Sequence, residues 1–380
     1  MSRSGVRVTL AALSCGALIV AALIRTYAKP GPQILFSGDQ QAYLSLARQP
    51  FVQTRVVYPP ATWRVLPPLV ARGIGEVTGG GPERGFLVLT FACYALIPVA
   101  AFAWLRALGV AVDAALSGAA VVSITPTVLG YTAWDVVRVD PPSCLMLFLG
   151  ALAVVKRRKA MFILVVTALA FTKETAMIVA LFGAAWATLV DRRMLATSVV
   201  AVAVALFVRR ILLQAWLMPV AVPFDNLFGF KQMIRDELTL RYVARRLLLA
   251  SASTWNVMLP LAAAWLVDQR RHPRAQAFLC AILVAEAQIL FASDTQRLVA
   301  AAYPFVIACC AFQMERYDRR SRMLTAAALV AAQVPWLLEN GQVVHFVWLR
   351  GVEIAIALVT AGLAVWRLRY PAAQPHLAPA

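Results

Sequence analysis

An all-α polytopic integral membrane protein is the fold class this chain predicts, and three observations predict it. Apolar runs long enough to cross roughly 30 Å of hydrocarbon recur from end to end. Hydrophobic residues fill 61% of the 380 positions and charged residues only 14%. Mean hydropathy is +0.74, far from a soluble globular mixture. No polar stretch is long enough to fold alone, so residues 1–380 are expected to form a single integral membrane domain.

The net charge of +18 would suggest nucleic acid in a soluble protein, so the position of the basic residues has to decide. Short clusters stand between apolar runs at Arg106, Lys156–Lys159, Arg192 with Arg193, Arg270–Arg274, Arg316–Arg322, and Arg367 with Arg369. By the positive-inside rule these mark the cytoplasmic face. The partners implied are membrane lipids and not nucleic acid.

With those clusters held inside, the apolar runs alternate in direction: 7–27, 84–105, 109–130, 142–155, 160–172, 175–190, 194–215, 247–267, 275–292, 298–314, 323–338 and 345–366. That makes about twelve crossings, within a range of about ten to thirteen, with both termini cytoplasmic. The first run follows Arg3 and Arg7 but lacks a small-residue cleavage site, so it reads as a retained helix. Runs 160–172 and 175–190 lie between two cytoplasmic clusters and must go out and back, yet each is short for the bilayer. Their junction, Thr172-Lys173-Glu174-Thr175, is expected to dip below the outer surface.

Two external loops are long. The first, 28–83, holds Ser37-Gly38-Asp39-Gln40-Gln41-Ala42-Tyr43-Leu44, then Trp63-Arg64-Val65-Leu66-Pro67-Pro68-Leu69, then the turn Thr78-Gly79-Gly80-Gly81-Pro82. A helix is expected where Tyr43, Leu44 and Ala47 share a face. The second, 216–246, alternates Leu238, Leu240 and Val243 with Arg235, Glu237, Arg241, Arg245 and Arg246. That is the pattern of an amphipathic helix lying in the interface.

Ionisable residues gather on this outer face. Besides the long loops it carries Trp134-Asp135-Val136-Val137-Arg138-Val139-Asp140, the pair Lys173-Glu174, and Ser293-Asp294-Thr295-Gln296-Arg297. Each has a plain structural reading: Asp39 as a helix N-cap, Lys173 with Glu174 as a local ion pair, Asp294 as a cap or a partner of Arg297, the loop arginines as headgroup contacts. The functional reading comes from the ensemble, because acids and bases from distant loops map to one face, and Arg offers a fork that matches phosphate oxygens. Arg209, Arg210 and Glu286 lie inside apolar runs, and buried ionisable residues at mid-depth are what a transporter would show.

Metal and nucleotide chemistry find no support in the motifs. The cysteines Cys15, Cys93, Cys144, Cys280, Cys309 and Cys310 fit no ligand spacing and read as packing residues. His272, His345 and His376 form no metal motif, and no Walker loop or dinucleotide fingerprint occurs.

In four places the chain resembles the GT-C class of membrane glycosyltransferases: Gly38-Asp39-Gln40-Gln41-Ala42-Tyr43, Trp63-Arg64-Val65-Leu66-Pro67-Pro68, Thr172-Lys173-Glu174-Thr175 and Asp294-Thr295-Gln296-Arg297. The resemblance implies transfer of a hexosyl or pentosyl group from a polyprenyl-phosphate donor to an acceptor outside the membrane, in the bacterial inner membrane. It implies Asp39 as the catalytic carboxylate. Many members carry two adjacent acids there, whereas Gln40 follows here; a divalent metal is left open and no other cofactor is implied. Arg64, Lys173 and Arg297 are the candidates for stabilising the donor phosphate, with Tyr43, Asp135, Glu174 and Asp294 in support. The sugar and the acceptor stay unassigned. A transporter or flippase of a lipid-linked glycan is the alternative.

Overall fold

The computed structural model describes residues 2–27, 38–49, 63–124, 136–217, 255, 258–288 and 300–340, the side chains of 24–27, 38, 39, 214–217 and 333–340 excepted. Among the described residues the secondary structure is helical throughout. Helix α1 is Arg3–Tyr27, α2 Gly38–Arg48, α3 Leu66–Thr78, α4 Gly81–Ala107 and α5 Val112–Ser123. There follow α6 Asp140–Val155, α7 Lys159–Thr172, α8 Ala176–Leu189 and α9 Leu195–Leu206, which runs on into a π-helical stretch, Phe207–Leu217. The last group is α10 Met258–Asp268, α11 Pro273–Ala287, α12 Tyr303–Glu315 and α13 Arg319–Asn340.

Apart from α2 and α3, which lie in the stretch expected as the first long loop, these helices fall where hydrophobic runs were expected, and their boundaries have local causes. Proline fills the first turn of α3, α4, α6, α11 and α12, where its missing N–H costs nothing and its fixed φ suits the helix. His272 caps α11, its side chain accepting from the Arg274 backbone N–H at 3.2 Å. Helix α3 ends at Gly79 in the left-handed conformation, φ +66, where residues with a Cβ are strained.

Three helices are long and apolar enough to cross a membrane by length and composition: Arg3–Leu23, Gly81–Ala107 and Arg192–Leu213. Shorter apolar helices stand at 112–123, 140–155, 159–172, 176–189, 258–268 and 300–315. The expected span 345–366 lies outside the described residues, as does the expected interfacial helix of 235–247. The larger figure of about twelve crossings therefore stays with the sequence.

The two ends of the bundle differ in chemistry. One end gathers the turns at 107–112, 155–159, 189–195, 268–273 and 315–319, where the basic clusters lie. It is stitched by Arg316 to Asp268 at 2.6 Å, by Arg157 to Asp191 at 2.5 Å, and by a short bond from the Ala111 N–H to Glu315. The opposite end carries α2, α3 and the α7–α8 junction.

Between the ends, one large apolar core joins residues from α1 through α13. At its centre the Trp104 indole donates to the Pro304 carbonyl at 2.9 Å and meets Phe182 and Phe305 edge to face, so a buried polar N–H is satisfied inside an aromatic nest. A second, smaller core of Ala42, Tyr43, Ala47, Ala71, Phe86, Val136, Val137 and Val139 fastens α2 onto α3, α4 and the strand-like lead-in to α6. That second core positions the site.

Helices α3 and α4 form a tight hairpin. A Cβ built on Gly85 would stand 1.7 Å from the Ala71 carbonyl oxygen, and one on Gly75 2.1 Å from the Gly81 oxygen. Only glycine lets the two backbones come this close.

Candidate functional site

Three stretches far apart in sequence meet at the end opposite the basic clusters. Tyr43 comes from α2, Arg64 from the lead-in to α3, and Glu174 from the three-residue junction of α7 and α8. Tyr43 is wholly buried, held by the smaller core, so its hydroxyl is a fixed point. The Arg64 guanidinium donates from Nη1 to that hydroxyl at 2.7 Å, and from Nη2 and Nε to Glu174 Oε1 at 2.8 and 3.3 Å. Arg64 thereby ties the first loop to the junction.

Arg209 completes the cluster from the π-helical stretch. It is buried, donates to the carbonyls of Trp63 and Ala170 at 2.9 and 3.5 Å, and lies 3.7 Å from Glu174 Oε1. Fourteen residues beyond the start of α9, it has risen about 21 Å from the basic end. It joins the cluster from inside a helical run that continues to Leu217. Glu286 stands in the last turn of α11, buried, accepting from the Trp255 indole at 3.4 Å.

Around the junction Thr172, Lys173 and Thr175 are buried, with exposures of 0, 4 and 1%, while Glu174 between them is part-exposed. Helices α7 and α8 are 14 residues each, about 21 Å long. The local ion pair between neighbours does not form. Lys173 instead donates to Asp140 Oδ1 at 2.6 Å, in the first turn of α6, and Ser143 shares a hydrogen bond with Thr175 at 2.9 Å. The α7 backbone ends with Lys173 extended, which turns consecutive side chains to opposite sides.

Burial alone pushes the Glu174 carboxyl up, but the charges of Arg64 and Arg209, the Arg64 hydrogen bond and the charge of Lys173 outweigh it and hold the pKa at about 2. Glu174 is an anion at neutral pH. Its second oxygen, Oε2, is buried and has no hydrogen-bond partner among the described residues.

Of the residues singled out from sequence, the structure brings Tyr43, Arg64 and Glu174 into contact and sets Lys173 beside them. Asp39 lies in the first turn of α2, one helical turn before Tyr43, and its side chain is outside the described residues. Asp135, Asp294 and Arg297 lie outside them too. Arg209 and Asp140 are members that sequence reasoning left out of the site. The available signal for Arg209 was an arginine pair inside an apolar run, at the depth of the opposite end.

A metal does not fit what is described here. No three His, Cys, Asp or Glu among the described residues stand close enough to hold one, and Asp140 and Glu174 are each matched by cations. Around those two carboxylates the described cations are Arg64, Lys173 and Arg209. The cluster has a positive balance and suits an anion.

No family model and no curated protein matches the chain. Among solved structures it is similar to the oligosaccharyltransferase of Archaeoglobus fulgidus in the apo form, at 12% identity and a TM-score of 0.47. It is similar also to the archaeal oligosaccharyltransferase AglB from Archaeoglobus fulgidus in complex with an inhibitory peptide and a dolichol-phosphate, at 11% identity and a TM-score of 0.49. Each match covers 96% of this chain and 56% of the other, so the chain spans little more than half their length.

Proposed function

We propose that the chain is a GT-C class membrane glycosyltransferase that moves a sugar from a polyprenyl-phosphate donor to an acceptor hydroxyl at the extracytoplasmic face. The observation that carries this reading is the convergence of Tyr43, Arg64 and Glu174, three of the family-like motif residues, on one buried, positively balanced cluster. Asp39 sits one helical turn from Tyr43. In the proposed reaction Asp39 takes the proton of the acceptor hydroxyl as that oxygen attacks the anomeric carbon. The bond from that carbon to the phosphate oxygen breaks, and the phosphate leaves on its lipid with the electron pair. Phosphate is a weak base, so no general acid is needed, unlike the paired carboxylates of glycoside hydrolysis. Arg64, Lys173 and Arg297 stabilise the charge growing on it. One displacement inverts the anomeric configuration. A transporter of a lipid-linked glycan is the second reading, and Arg209, inside the helical run 195–217, is the residue that favours it.

The test separates a base from a structural polar residue at Asp39, which stands second in α2 and so is not its N-cap. Asn is nearly isosteric and keeps an acceptor oxygen there, but it cannot take the proton. Asp39→Asn should keep thermal stability near wild type in detergent while transfer from a polyprenyl-phosphate donor falls about two to four decades. Asp39→Ala should add a stability loss of about 0.5 kcal/mol, from the lost attraction of the carboxylate to the N-terminus of α2. Wild-type turnover by the Asn variant sinks the proposal.

A further inference from the structure

We propose that Glu174 is a sugar-binding residue: its Oε2 receives a hydroxyl of the sugar that the donor carries. This rests on the transferase reading above and names what that site selects. Glu174 divides its two oxygens sharply. Oε1 takes every cationic contact, from Arg64 twice and from Arg209, while Oε2 is enclosed without a donor among the described residues. An ionised oxygen left so is costly, and a ligand hydroxyl satisfies it by a charge-assisted bond.

The side chain as a whole is 38% exposed, so it stands at an opening. Its last torsion is soft, so a turn of the planar carboxylate, which carries both oxygens, would let a ligand hydroxyl reach Oε2. The paired arginines make this carboxylate a poor proton acceptor, so it binds a hydroxyl without activating it. The cations that hold it are those assigned to the donor phosphate or bonded beside them. A group at Oε2 would then stand beside Arg64, the residue assigned to the donor phosphate, which points to the donor's sugar and not to the acceptor.

The experiment is a cycle between Glu174 and individual hydroxyls, read as equilibrium binding in detergent, so no acceptor is needed. The probes are bare polyprenyl phosphate, polyprenyl phosphate carrying mannose, glucose or arabinose, and, for the sugar bound best, donors each lacking one hydroxyl. Wild type should bind one sugar-bearing lipid better than the bare lipid. One deoxy donor should lose about ten- to a hundredfold in affinity on wild type and little on Glu174→Gln. Should that variant not be recovered folded, Glu174→Asp, which keeps the charge and withdraws the oxygen by one methylene, completes the same cycle. Equal losses on wild type and variant for every deoxy donor overturn the proposal, as does a wild type that binds no sugar-bearing lipid better than bare lipid. Failure of wild type to bind even bare polyprenyl phosphate overturns the donor reading itself.

Discussion

At the scale of the residue, Arg64 is the hinge of the site. Its replacement by Ala should weaken binding of bare polyprenyl phosphate by about one to two decades, the worth of a lost charge-assisted bond. Arg319→Ala, at the exposed start of α13, should leave that affinity unchanged, and equal effects at both positions would mean headgroup contact alone. Glu174 predicts a pH dependence. Its pKa falls from 4.5 to about 2 on folding, so the stability it contributes is full above about pH 4.5 and fades as the pH drops toward 2. Thermal unfolding should therefore show wild type above Glu174→Gln by a constant margin at pH 5 to 7 that shrinks below pH 4.5. A margin that grows on acidification would contradict the assignment. The members Tyr43, Arg64, Lys173 and Glu174 were legible in sequence because polar residues beside apolar runs stand out. Their partners were not, since pairing Lys173 with Asp140 and Glu174 with Arg64 depends on how α6, α7 and the first loop are set against one another in space.

At the scale of the element, the α3–α4 hairpin is fixed by its glycines. An alanine in a helix interior ordinarily gains about 1 kcal/mol over glycine. At Gly85 the sign should reverse, because the added methyl would meet the Ala71 carbonyl at 1.7 Å and only a backbone shift relieves it. Gly85→Ala should lower the unfolding temperature and loosen α2, whose anchor Tyr43 shares a small core with Ala71. Gly73→Ala, where nothing lies within 4 Å, is the matched control and should be neutral or stabilising. Helix positions were legible from hydrophobic runs and proline starts, as at Asp140-Pro141-Pro142. The close approach at Gly85 was not, since nothing in a run of apolar residues says which glycine meets a backbone.

At the scale of the whole molecule, the basic turns and the Tyr43–Arg64–Glu174 cluster occupy opposite ends of one bundle. If the basic end is cytoplasmic, a cysteine placed at Val77, 89% exposed at the end of α3, should react with an impermeant thiol reagent added to intact cells. One placed at the exposed Arg158 should react only after permeabilisation. These are better reporters than Lys173, whose burial would silence a label there. Reversal of the pattern would put the site inside the cell, where the proposed transfer does not belong.

The shortness of α7 and α8 reaches beyond the protein into the bilayer. At about 21 Å they fall roughly 9 Å short of the hydrocarbon thickness, and Leu164 on α7 is 68% exposed, a face turned to acyl chains. If both helices cross, as the sequence reading has it, the leaflets would bow inward around this hairpin, at a fraction of a kcal/mol per Å. Headgroups in such a dimple would ride deeper, toward Lys173 and Glu174, and the proposed lipid donor would reach the arginines from within its leaflet. A thicker membrane, by flattening the dimple, would then slow the proposed transfer.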